Sequence, residues 1–191
     1  MPVMSTEKDI SEMNCTEIFE LIGRRQVLAL MFHDHMRDLY DFLNLQGFKC
    51  WHHHQYMSES EEFLKTKHYF MSTHNKLLDI GDTGQPDSVI PDSWYGYTRL
   101  DVTSQLMKQY TESSFASYKN WEEETKKTYQ ECYTALMNRG NVADAEKVKC
   151  LIKDVSCELK MLYKIMLKLK SSGYDIIYIQ DMQHWLHKKY K

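Results

Sequence analysis

Four side chains with charged or titratable ends fall on helical seams that are otherwise apolar: Arg25, His35, His52 and Glu59. An unpaired charge inside a protein is costly, so each needs a partner or water. Glu62 follows Glu59 by three residues and shares its helix face. These five residues form a candidate buried polar pocket. His35 stands twelve residues before Gly47 and Glu59 twelve after it. A hairpin reversing at that glycine would bring the imidazole and the carboxylate to one level. We therefore expect a His35–Glu59 contact, direct or through water. It would either fix the register of two helices or build a pocket with a shifted histidine. A divalent metal would draw ligands from both helices, with His35, His52 and Glu59 as a set that zinc accepts.

Other clusters are weaker. His33-Asp34-His35 and His52-His53-His54 place neighbours about 100° apart on a helix, so neither triplet chelates one ion alone. Asp181, His184 and His187 recur at i, i+3 and i+6; His184 and His187 could share an ion, or the three form a surface face beside Trp185. Glu17-x-x-Glu20 and Glu59-x-x-Glu62 set paired carboxylates on one face, as a hard cation requires. All-helical nucleoside triphosphate pyrophosphohydrolases use such a pair with a later Glu-x-x-Asp, which is absent after Glu62. Lys149, Lys153, Lys160, Lys164 and Lys168 form a row that could track phosphates, or serve as the solvated face of a helix. Trp121-Glu122-Glu123-Glu124 is its acidic counterpart. No Gly-rich phosphate loop, nucleophile elbow, zinc-finger spacing or dinucleotide fingerprint occurs.

The elements that must position these residues are helices. Asn14 and Glu17 form a capping box that opens a first helix over 15–45, with the seam Leu21, Arg25, Leu28, Phe32, His35, Leu39 and Phe42. After Gly47 a second helix runs over 47–79 through His52, Glu59, Phe63, Thr66 and Phe70. The short connection makes the two an antiparallel hairpin. Residues 80–93 hold two of the three prolines and read as a loop long enough to cross a bundle. A third helix over 94–139, capped by Thr98 and Asp101, would reach about 60 Å at 1.5 Å per residue and project beyond its neighbours. The fourth, over 142–171, has the seam Ala145, Val148, Ile152, Val155, Leu159, Leu162, Met166 and Leu169, with no carboxylate on it. A short helix over 175–189 carries Tyr178, Met182, Trp185 and Leu186 as a candidate interaction surface. Residues 1–13 read as a flexible N-terminus and 1–191 as one domain.

Composition narrows the classes. The chain has 191 residues, 42% of them hydrophobic and 27% charged, which is globular rather than disordered. Seven Gly and three Pro are too few for the frequent turns of an all-β fold. A net charge of −3 excludes a uniformly basic nucleic-acid binder. The five cysteines are odd in number and lack a CxxC pair, as in a reduced cytoplasmic protein. The opening MPVMSTEKDISEMNCT has no apolar core of signal-peptide length, and no run suits a membrane span.

Hairpin, long connection, hairpin and short terminal helix: this order resembles the ferritin-like four-helix bundles. The resemblance implies an all-α fold. In those families it also implies a two-iron centre, with a Glu on each of two helices and a Glu-x-x-His on each of the others. No Glu-x-x-His occurs here: Glu59 is followed at three by Glu62, Glu62 by Lys65 and Glu158 by Met161. The fold is carried over and the ferroxidase activity is not. The stretch LYDFLNLQGFKCWHHHQY, with HNKLL downstream, also resembles uncharacterised helical proteins of phages and prophages of Gram-positive bacteria. The leading functional expectation is a non-enzymatic, phage-type binding or assembly protein that self-associates through helical faces, without a cofactor. The alternatives are a metal- or nucleotide-handling enzyme using His35, Glu59 and Glu62, or a nucleic-acid-associated bundle using the lysine row.

Overall fold

The computed structural model describes residues 8–83 and 98–191. Its long elements are helices α1 (Cys15–Phe42), α2 (Gln46–His74), α3 (Ser104–Asn138), α4 (Val142–Ser171) and α5 (Ile176–Tyr190). Two antiparallel hairpins, α1–α2 and α3–α4, pack into a four-helix bundle, and α5 crosses the outside of α2. The all-α reading and the order of elements hold.

Local chemistry explains most boundaries. Asn14 caps α1: its side chain accepts from the Glu17 amide at 3.1 Å, and Glu17 accepts from the Asn14 amide at 2.6 Å. Three helices end in the same way. A residue with positive φ follows the last turn, and the next amide reaches back to a carbonyl five residues earlier. The residues are Asn44 (φ 57°), Gly140 (φ 76°) and Gly173 (φ 63°). The returning bonds are Leu45 to Tyr40 at 2.8 Å, Asn141 to Leu136 at 3.0 Å and Tyr174 to Leu169 at 2.8 Å.

The first of these corrects the expected hairpin. The chain reverses at Asn44, three residues before Gly47, and Gly47 lies inside the first turn of α2. Gly47 is there for a different reason. A Cβ on it would overlap the backbone carbonyl of Gln183, where α5 lies against α2. The Gln183 side chain also accepts from the Gly47 amide at 3.2 Å. Gly47→Ala is expected to destabilise the protein by about 3 kcal/mol, the upper end of overpacking, because a backbone carbonyl cannot swing aside. Urea unfolding measures it, and an unchanged midpoint would show that α5 is loosely seated.

Other boundaries also differ. Helix α2 ends at His74 rather than 79, with Asn75 left-handed (φ 51°) as its stop. The Thr98–Asp101 capping box is present, but it closes a single 3-10 turn, Arg99–Asp101. Thr103 caps α3, accepting from the Leu106 amide at 3.1 Å. At 35 residues α3 spans about 52 Å rather than 60. Residues 8–13 are not a loose tail. A 3-10 turn forms over Ile10–Glu12, Met13 is buried, and Arg139 donates to the Ser11 carbonyl at 2.7 Å. The expected crossing loop falls mostly at 84–93, outside the described residues.

Candidate functional site

The bundle interior is polar along much of its length, in levels set by the reversal at Asn44. Nearest that turn, the fully buried His33 and His52 bring their Nδ1 atoms to 3.0 Å. Aromatic rings enclose them, with the Tyr118 ring 5.2 Å from each and Tyr40 stacked on His52 at 5.4 Å. Burial holds His33 down to about 3, and burial with the neighbouring His33 holds His52 well below the ordinary histidine value. Both are neutral, so one ring donates and the other accepts. At the edge of this level Tyr40 hydroxyl meets Ser114 Oγ at 2.7 Å.

The expected His35–Glu59 pair does not form. Moving the turn three residues earlier slides the level partners by twice that, about 9 Å along the axis. His33, not His35, faces α2. His35 is half-buried on the flank of α1 and makes no hydrogen bond with the described residues. His35, His52 and Glu59 are therefore not brought together as a ligand set. The inward face of α1 runs Ile22, Gln26, Ala29, His33, Met36 and Tyr40. The more apolar-looking register through Leu21, Arg25 and Leu28 is its half-buried edge. Arg25 bridges from that edge to α3. Its Nε donates to Thr125 Oγ1 at 3.0 Å, and its guanidinium lies 4.3 Å from the Trp121 ring centre. Glu124 is 3.6 Å away.

One level further from the turn is a set of carboxylates from three helices. Glu59 (8% exposed) and Glu62 come from α2, Glu122 (2% exposed) from α3, and Glu158 from α4. Helix α4 thus does place a carboxylate inside. Leu151, Val155, Glu158, Leu162, Ile165 and Leu169 form a second seam, interleaved with the apolar one. Glu122 belongs to the series Tyr118, Glu122, Thr125, Tyr129 and Cys132 on α3, so it is not part of an exposed acidic run. Its sequence neighbours do face outward: Glu123 pairs with Lys119 at 3.0 Å and accepts from Tyr163 hydroxyl at 2.6 Å.

These carboxyl groups repel one another in a dry place. Burial and the nearby Asp154 push Glu62 up to about 7. Burial and Glu62 push Glu158 up to about 8. Glu59 and Glu122 also lie well above the ordinary range, through burial and then Glu158; Arg25 partly offsets this for Glu122. Helix α1 contributes an amide here. Gln26, fully buried, donates to Thr66 Oγ1 at 3.2 Å and to Glu62 Oε2 at 3.5 Å. Two enclosed oxygens, Glu158 Oε2 and Gln26 Oε1, accept no hydrogen bond from the described residues. No three of these carboxylates bring oxygens within 4.8 Å of one another, so the set can hold protons as it stands and would have to close to surround a cation.

The remaining candidates stay apart. His53, His54 and His184 are exposed, and His187 turns to Cys50 Sγ at 3.6 Å. The lysine row is exposed throughout. On α5, Tyr178 and Trp185 face solvent, at 57% and 45% exposed, while Met182 and Leu186 are buried, so the expected four-residue surface is split. All five cysteines are free thiols. Among the described residues, no helix is long and apolar enough to cross a membrane.

No family model matches the chain, and no curated protein does. Solved structures do. An open-pore ferritin from the hyperthermophilic archaeon Archaeoglobus fulgidus superposes with a TM-score of 0.72 at 16% identity, over 90% of this chain and 94% of that one. A closed form of Archaeoglobus fulgidus ferritin, engineered by site-directed mutagenesis, gives 0.72 and 16% over 90% of this chain and 93% of that one. At that identity the likeness is one of fold: the chain resembles the ferritin-like four-helix bundles in architecture.

Proposed function

We propose that this protein is a divalent-cation-binding bundle in which Glu59, Glu62, Glu122 and Glu158 would draw together around one ion. The observation that carries the reading is the pair of enclosed, unpartnered oxygens, Glu158 Oε2 and Gln26 Oε1, beside carboxylates from three helices. The two-iron pattern that the fold family implies does not fit these residues. It needs histidines on two helices and a carboxylate on α1, where Gln26 stands. An all-oxygen set suits a single hard cation such as magnesium, manganese or ferrous iron, rather than zinc. Bound there, the ion would supply positive charge and Lewis acidity. The chain's own parts have separable roles. The four carboxylates would bind, and Gln26 orients Glu62. Arg25 biases Glu122 toward its charged form, and the buried Tyr118 and Tyr129 rings exclude water.

The test is manganese binding to full-length, chelator-treated, untagged protein, by equilibrium dialysis with metal analysis. About one manganese per chain is expected, with affinity falling at least about 100-fold in Glu59→Gln–Glu122→Gln, since direct ligands are lost. No stoichiometric uptake, or uptake unchanged in the double variant, would overturn the reading. A second reading, self-association through helical faces, is favoured by Leu167 (71% exposed), Tyr178 and Trp185, exposed apolar side chains that line adjoining grooves between α4 and α5.

A further inference from the structure

At the end of the bundle where α3 turns into α4, three helix termini meet. Cys15 is the first residue of α1, His74 the last of α2, and Asp144 lies in the first turn of α4. Their donor atoms converge. Cys15 Sγ lies 3.0 Å from Asp144 Oδ2 and 3.8 Å from His74 Nε2, and His74 Nε2 lies 3.1 Å from Asp144 Oδ1. We propose that Cys15, His74 and Asp144 form a separate metal site for a zinc-class divalent ion.

Three features support this. The donor atoms lie near tetrahedral spacing: metal–ligand bonds of about 2.0–2.3 Å separate neighbouring ligands by about 3.3–3.6 Å, so the two contacts to Asp144, which use different oxygens, would open by up to about 0.5 Å and the Cys15–His74 contact would close by about 0.3 Å. The thiol and the carboxylate both approach the same ring nitrogen, Nε2. A nucleophile–base–acid relay puts them on opposite nitrogens, so this arrangement surrounds a point rather than passing a proton along. The supporting shell is also built. Tyr69 hydroxyl donates to Asp144 Oδ1 at 2.9 Å, and the buried rings of Phe70 and Phe19 flank His74 at 4.8 and 5.9 Å. Asp144 is buried while Cys15 and His74 are half-buried, so solvent has access on one side for entry and for a fourth ligand. The mixed sulfur, nitrogen and oxygen set suits zinc or cobalt, unlike the all-oxygen interior.

The site is independent of the interior carboxylates, and the experiment separates the two. Cobalt(II) alone, added to metal-free full-length protein, is expected to give a thiolate-to-cobalt charge-transfer band in the near ultraviolet, saturating at about one ion per chain. The band should vanish in Cys15→Ser and survive in Glu59→Gln–Glu122→Gln. Zinc affinity, read by competition with a chelating dye, should fall at least about 100-fold in Cys15→Ser and in His74→Gln, and about tenfold in Tyr69→Phe. Far-ultraviolet circular dichroism of both ligand variants checks that the helices persist. No charge-transfer band at saturating cobalt, or a band that persists in Cys15→Ser, would overturn the proposal.

Discussion

The double variant Glu59→Gln–Glu122→Gln is expected to melt higher than the parent protein at pH 8 without metal, and to lose the parent's response to manganese. The carboxyl groups around Glu59 have folded-state values above their unfolded value of 4.5: Glu62 at about 7, Glu158 at about 8, and Glu59 and Glu122 also raised. A raised acid holds its proton in the folded state after the unfolded chain has released it. Its contribution to stability is therefore complete below pH 4.5 and is lost as pH rises toward 8. At pH 8 the metal-free protein must either keep protons that the unfolded chain has released or bury mutually repelling charges. Asp154 adds to them, while Arg25 and Lys147 partly compensate. Every tenfold gain in proton affinity on folding corresponds to about 1.4 kcal/mol, and mutual coupling makes the whole less than the sum. Neutral amides at two positions should recover about 3 kcal/mol, or roughly 6–12 °C in Tm for a chain of this size. Manganese should stabilise the parent at pH 8, by about 2.7 kcal/mol at a hundredfold excess over its Kd. Thermal melts with and without manganese measure both effects. A variant that melts lower, or still responds to the ion, would argue for a structural role of the carboxylates. Surplus charge held for binding at a cost in stability is a familiar feature of functional sites.

Acidification acts on the other polar level with the opposite sign. His33 and His52 are held below the ordinary value of 6.5, His33 at about 3. Below pH 6.5 the unfolded chain takes up two protons that the folded pair refuses. Stability from this pair is therefore present above pH 6.5 and is lost progressively as pH falls toward 3. At pH 5 His33 accounts for about 2 kcal/mol, and His52 adds to it with the same sign. The rings around the pair come from α1, α2 and α3 and bring no counter-charge: Phe32, Tyr40, Trp51 and Tyr118. The carboxylate slope runs the other way and would mask the effect in a single protein. The comparison is therefore with His33→Gln–His52→Gln, whose amides hydrogen-bond without titrating, so the common terms cancel. The stability difference between parent and variant, from urea unfolding, should change by at least about 2 kcal/mol between pH 7.5 and pH 5. Parallel pH profiles would mean that the pair is already charged or water-filled.

The number of helices, their type and their pairing could be read in the chain, because period-3.6 apolar spacing and end signals are local properties. Asn14 with Glu17, Gly140 and Gly173 act where their residue types suggest. The structure departs from the sequence pattern where residue type and role part company. Asn44 adopts the left-handed conformation usually given to glycine, while Gly47 serves close packing against Gln183. That exchange slid every level of the first hairpin and replaced His35 with His33. Apolar spacing marks a helix seam, and here the interior is polar. Gln26, Glu122 and Glu158 sit at core positions that a hydrophobic count passes over. The interleaved series Tyr118-Glu122-Thr125-Tyr129 carried a signal that could have shown one of them.

What the amino-acid order determines by itself is the set of rods and the absence of any Glu-x-x-His, since both depend on residues within one turn of each other. Which carboxylates face each other, and that Cys15, His74 and Asp144 share one corner, was decided only by tertiary packing. Those groups lie tens of residues apart on different helices, and a rotation or slide of one rod by a single residue moves its side chains through about 100°.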